Sequence, residues 1–280
     1  MIKITADSTC DLPSAILREM DITLAPLYIH AGDQVFRDGV DITPDEVFRF
    51  ADTHGQLCKT GAINIEEYKE FFAELSPRYE AVVHLNIGQE FSICHQNATL
   101  AAQEFSNVYV VDSRNLSTGS GHLVYDAALM ARDGAGAREI VGALEEEVPR
   151  IDASFMIDRL DYLHKGGRCS GLEAIGARLL GIKPCIEVVE GKMRVGKKYR
   201  GQFELTLDKY VQDRLSQKEN IDTRRLFITH PACSEEDVAR VRASVANLID
   251  FDEVIESRAG CTISSHCGPK TLGILFKRKG

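Results

Sequence analysis

Three short polar segments carry the residue types best suited to chemistry: Asp7-Ser8-Thr9, Thr60-Gly61 and the stretch around Ser92. The first two stand ahead of helix-period segments, and Ser92 lies close to the start of one. Main-chain N–H groups at such a point, helped by a Ser or Thr hydroxyl, make a small anion site that fits a carboxylate or a phosphate. The same residue types are ordinary helix caps, so position alone leaves capping and anion binding both open. A fourth candidate is His266, in Ser264-Ser265-His266-Cys267-Gly268-Pro269. There the Gly-Pro pair predicts a tight loop that holds the imidazole on irregular backbone. His30, His54, His84, His122 and His230 have no polar constellation nearby in sequence and read as surface or satisfied core; His95 is ambiguous. The densest basic clusters, Lys165-Gly166-Gly167-Arg168 and Lys197-Lys198-Tyr199-Arg200-Gly201, fit either a solvated face or the docking of an acidic partner or a phosphate.

Other chemistries lack their signatures. No G-x-S-x-G elbow, H-E-x-x-H helix or G-x-G-x-x-G turn occurs. Gly191 to Lys197 imitates the start of a phosphate-binding loop, but Lys198 replaces the Ser or Thr that would hold magnesium, and a hairpin accounts better for the glycines. The eight cysteines are scattered without a C-x-x-C pair, so no metal is expected and the thiols read as reduced and mostly buried. A formal charge of −9 disfavours nucleic acid. Neither a secretory signal nor a run of ~18 apolar residues is present, which gives the expectation of a cytoplasmic protein without a transmembrane segment.

The elements that must position these residues follow from length and periodicity. At 280 residues the chain suggests two domains. An apolar run at 2–6, a polar turn and a helical stretch opened by Pro13 start an α/β unit. Strand candidates recur at Ile22–Ile29, Ala81–Ile87 and Val108–Val111, with helix-period segments around 44–51, 65–75, 91–104 and 119–132 between and after them. That alternation predicts a mostly parallel sheet, with ligands beyond its strands' carboxyl ends, after residues 6, 87 and 111. Past about residue 150 the texture changes. A strand at Ala153–Ile157, a Gly-Gly turn at 166–167 and a short helix near 172–180 precede two strands, Pro184–Val189 and Lys192–Tyr199. Glu190-Gly191 between these two predicts a β-hairpin. Helices at 203–217 and 234–248, strands at 225–230 and 251–257, and a final apolar strand complete a second, mixed α/β layer.

In order along the chain stand Thr5-Ala-Asp7-Ser8-Thr9-Cys-Asp11-Leu-Pro13, Pro26-Leu27, Asp38-Gly39-Val-Asp41-Ile-Thr43, Val111-Asp112-Ser113 with Ser117 and Gly119-Ser-Gly121. Leu160-Asp-Tyr-Leu163-His-Lys165-Gly166-Gly167-Arg168, Ile182-Lys183-Pro184, Arg200-Gly201 and His266-Cys-Gly268-Pro269 follow. With these strings the sequence resembles the DegV family over essentially its whole length. The resemblance implies a two-domain α/β fold. Its first domain (1–150) has a mostly parallel sheet, flanking helices and carboxylate-gripping loops; its second (151–280) is a mixed α/β sheet enclosing an acyl chain. It further implies a long-chain fatty acid whose carboxylate is gripped by Thr60, Ser92 and His266. A separate ATP-dependent fatty acid kinase would phosphorylate that carboxylate to an acyl-phosphate. The chain would then be a non-catalytic lipid-binding subunit with no cofactor besides its ligand, and Arg168 and Arg200 are candidates for docking the kinase.

The sequence departs from the family pattern at Gly61, where Ser is usual, at Lys270, where Gly is usual, and in Gly88–Cys94. That segment keeps only Ser92 of four hydroxyl residues and has Ile93 in place of Gly. Burying ~15 methylenes at ~0.8 kcal/mol each gives an upper limit of about 12 kcal/mol, ample for tight binding after association costs. Two alternatives stay open: an enzyme acting on a small phosphorylated or carbonyl compound, and a binding module for another amphipathic acid.

Overall fold

The computed structural model describes residues 1–167 and 181–280. Arg168 and the short helix expected near 172–180 lie outside the described residues. The first sheet orders Thr23–Ala25, Ile2–Asp7, Ala81–Asn86 and Val108–Asp112, with every pairing parallel. Ile2–Asp7 and Ala81–Asn86 are buried along their whole lengths, as central strands covered on both faces must be. The helices follow their local signals. Pro44–His54 opens on a capping box in which Thr43 and Glu46 bond reciprocally, and it closes on Gly55 at φ 65°. Ile65–Leu75 opens on the same device, built from Asn64 and Glu67.

The second sheet orders Lys192–Arg200, Ile182–Val189, Ile151–Ile157, Thr271–Arg278, Ile221–His230 and Glu253–Arg258, antiparallel except for the last pair. Its hairpin turns at Glu190 and Gly191, whose φ values of 52° and 77° suit a two-residue connection between right-twisted strands. All strands of the first sheet precede residue 113 and all strands of the second follow residue 150. The helix Thr118–Arg132 ties the two sheets together. From it Asp126 meets Arg225 at 3.0 Å and Lys277 at 2.5 Å, and His122 donates from Nε2 to the Leu275 carbonyl at 3.0 Å.

Several local expectations change. The single strand at Ile22–Ile29 is two strands: after Thr23–Ala25 the chain leaves the first sheet at Pro26, and Tyr28–Ala31 joins a small antiparallel sheet between Gln34–Arg37 and Lys59–Gly61. A helix that periodicity starts at 91 begins at Cys94, because Ser92 shapes a turn ahead of it. The helix at 203–217 ends at Arg214. His266 does not sit on a loop. It lies in the last turn of the helix Cys261–Cys267, and Gly268, at φ 79°, ends that helix ahead of the Gly-Pro bond.

Candidate functional site

Thr60 stands on the third strand of the small sheet, paired with Ile29. Its hydroxyl meets Nε2 of His266 at 2.9 Å, across 206 residues of sequence. Thr60 is therefore a strand residue that reaches a distant histidine rather than a helix cap. Behind the imidazole, Gly166 leaves the space the ring occupies: a Cβ there would stand 2.3 Å from His266 Nδ1. The start of the histidine's helix is held by the other half of the chain. Asp11 accepts from the Gly260 N–H at 2.8 Å, and Asp38 accepts from those of Cys261 and Thr262 at 2.8 and 3.0 Å. Burial, with the Asp38 charge nearby, pushes the Asp11 carboxyl well above its ordinary value.

A cavity of about 320 Å³ opens beside this pair. Thr60, Ser92 and His266 all line it, together with Thr262 and an apolar wall that includes Leu27, Ile87, Phe91, Leu116, Leu163, Met193 and Ile263. Ile87 and Leu116 follow the ends of two parallel strands, where the topology directs a ligand. Ser92 also does local work: its Oγ accepts from the Cys94 N–H at 3.2 Å and donates to Cys94 Sγ at 3.1 Å. Glu90, on the same cavity wall, faces Lys192 at 3.7 Å. Thr60 and His266 border a second cavity of about 590 Å³, whose wall includes Lys59 and Lys165.

The remaining candidates sort clearly. Asp7-Ser8-Thr9 is turned inward: Asp7 accepts from the N–H groups of Thr9 and Ile87 at 3.1 and 2.7 Å, and Ser8 donates to Asp38 at 3.1 Å. This segment braces strand ends and does not line the cavity. Arg200 is exposed at the end of its strand. His84 and His122 are buried core residues, His84 bonded at both ring nitrogens by Thr5 and Asn86 and His122 bonded through Nε2 to the Leu275 carbonyl; burial lowers their pKa values to about 3 and about 4. Burial pushes the Cys94 thiol up to about 11 and the Cys267 thiol up to about 12, away from the range of nucleophilic thiolates. Among the described residues no group of three or more His, Cys, Asp or Glu could hold a metal ion, and no helix is long and apolar enough to cross a membrane. Sequence reasoning gave no site role to Thr262, Gly166, Asp11 or Asp38, although the last three stand in the strings that carry the family resemblance.

Fold and site together define a class: an α/β protein with a parallel and a mixed sheet, and a mostly apolar cavity bearing a Thr–His pair. The chain belongs to the DegV family, whose profile, described as that of an uncharacterised protein family, matches residues 1–279. A DegV domain-containing protein of Caldanaerobacter subterraneus is 31% identical over 99% of both chains. The structure of a fatty-acid-binding DegV family protein from Thermus thermophilus superimposes with a TM-score of 0.92 at 28% identity, covering 99% of each chain. That of a stearic-acid-binding protein from Eubacterium ventriosum gives 0.87 at 26% identity, covering 100% of this chain and 99% of the other.

Proposed function

We propose that this chain binds a long-chain fatty acid, with the carboxylate at Thr60, Ser92 and His266 and the acyl chain along the apolar wall. It would present that carboxylate to a separate ATP-dependent kinase for acyl-phosphate formation. The observation that carries the reading is the 2.9 Å Thr60–His266 pair on the wall of a cavity otherwise lined mainly by aliphatic side chains and Phe91. The fatty-acid-binding relatives support it. The second cavity, bordered by the same Thr and His with two lysines, gives the kinase an approach to the carboxylate. A division into domains 1–150 and 151–280 is part of this reading, because the cavity wall takes Leu27 to Leu116 from one half and Leu163 to Cys267 from the other.

Native mass spectrometry after gentle purification tests the ligand. A mass increment matching a fatty acid is expected, and protein that is both ligand-free and indifferent to added stearate overturns the proposal. Ile93, largely exposed on the cavity wall and β-branched at the pocket mouth, favours a second reading, a branched or hydroxylated acid. Competition between such acids and stearate separates the two.

A further inference from the structure

We propose that Thr262 is a further ligand-binding residue, whose hydroxyl donates to the carboxylate of the bound fatty acid. This rests on the fatty-acid reading of the cavity. Three hydroxyl side chains lie on the helix Cys261–Cys267. Two of them turn back onto main-chain carbonyls, Ser264 to Ala259 at 3.2 Å and Ser265 to Cys261 at 2.8 Å. Thr262, in the first turn, does not, and its Oγ1 is buried with no hydrogen-bond partner. It is also the only one of the three that lines the cavity.

The residue is 4% exposed, so bulk water does not satisfy the hydroxyl. Most buried polar side-chain groups in folded proteins are paired, and the cavity that Thr262 lines is the open space from which a ligand can reach this one. The backbone beneath is fixed, since the Thr262 N–H is held by the buried Asp38 carboxylate at 3.0 Å. A β-branched side chain on such a backbone has few rotamers to choose from. Thr262 and His266 are four residues apart on one helix and so share a face. A carboxylate that accepts at ~2.8 Å on each of its two oxygens can bridge donors about one helical turn apart. One oxygen would meet the Thr60–His266 pair and the other Thr262.

The test is stearate affinity, by displacement of a fluorescent fatty acid, for the wild type, Thr262→Val and Thr262→Ser. Valine keeps the shape and removes only the hydroxyl. A loss of roughly ten- to hundredfold is expected for Thr262→Val, with Thr262→Ser close to wild type and all three urea midpoints alike. Equal affinity for wild type and Thr262→Val overturns the assignment of Thr262 while leaving the fatty-acid reading intact. A wild type that takes no stearate overturns both. Should the valine variant fail to fold, a crystal structure of the wild type with stearate decides. A carboxylate oxygen within ~3.2 Å of Thr262 Oγ1 supports the proposal, and a carboxylate beyond that reach refutes it.

Discussion

Asp38 accepts the main-chain N–H of Thr262 at 3.0 Å, from 224 residues earlier in the chain. With the Cys261 N–H on its other oxygen, this buried side chain caps the helix that carries His266. Asp38→Ala leaves two buried amides without an acceptor, at ~1–3 kcal/mol for each. Urea unfolding should show a loss of that order together with weaker fatty acid binding. A shift below ~0.5 kcal/mol would mean that the amides find another acceptor and that the cap is dispensable.

Gly166 has φ −74°, a conformation open to alanine, yet its missing Cβ is what admits the His266 ring. Gly166→Ala should therefore fold while driving the imidazole off Thr60. Fatty acid affinity should fall about tenfold, the cost of one hydrogen bond of ~1.4 kcal/mol. An unchanged affinity would show that the Thr60–His266 bond does not hold the ligand.

Much of the fold was legible because its signals are local. The β-branched runs at 2–6 and 81–87 are long enough to declare buried strands, and Glu190-Gly191 declares its own turn. The small sheet was not legible. Its strands have three or four residues, and Thr60 pairs with Ile29 across a whole helix. The helix at His266 was missed for a related reason: its capping groups, Asp11 and Asp38, come from the opposite half of the sequence. Thr60, Ser92 and the Gly-Pro context of His266 stood out by residue type. Thr262 could not, because a threonine with an unpaired hydroxyl looks in sequence like one whose hydroxyl is satisfied.

Ser92 has two separable duties. Removing its Oγ in Ser92→Ala costs the turn ahead of Cys94 about 0.5–2 kcal/mol of stability. It should also cost ~1–3 kcal/mol of ligand binding, since a hydrogen bond to a charged carboxylate is among the stronger kind. A lipid-exchange assay alongside thermal unfolding separates the two. Lower stability at unchanged affinity would leave Ser92 as a cap alone.

Arg200 is exposed, whereas its neighbour Lys197 is tied to Asp213 at 2.7 Å. Arg200→Glu should leave stearate affinity within about twofold and slow kinase-coupled acyl-phosphate formation, because exposed rim charges steer partners more than they fix buried ligands. Weaker lipid binding with normal turnover would reverse the assignment.

His122 sets a pH dependence whose sign can be worked out. Its ring is fully buried against Phe227, with a centroid separation of 4.7 Å, and it donates to the Leu275 carbonyl. Burial is the main cause that lowers its pKa to about 4 from 6.5; Arg225 and Lys277 lower it further, while the Leu275 bond and Asp126 act the other way. Below pH 6.5 the unfolded chain takes up a proton that the folded chain refuses until about pH 4. The stabilising contribution is therefore complete above pH 6.5 and declines by ~1.4 kcal/mol per pH unit down to about 4. His84, lowered to about 3, acts in the same direction over a wider window. Asp7 and Asp11, whose carboxyls are raised, act in the opposite one. Total stability mixes these effects, so a matched pair of proteins isolates one. His122→Gln keeps an amide donor for Leu275 and cannot titrate. The unfolding free energy of wild type relative to His122→Gln should be flat between pH 7 and 8 and should fall by about 2 kcal/mol on going from pH 6.5 to pH 5. A difference that stays constant over that interval would mean that His122 is protonated in the folded protein. The joint between the Thr118–Arg132 helix and the last strand would then be an ionic contact rather than a neutral hydrogen bond.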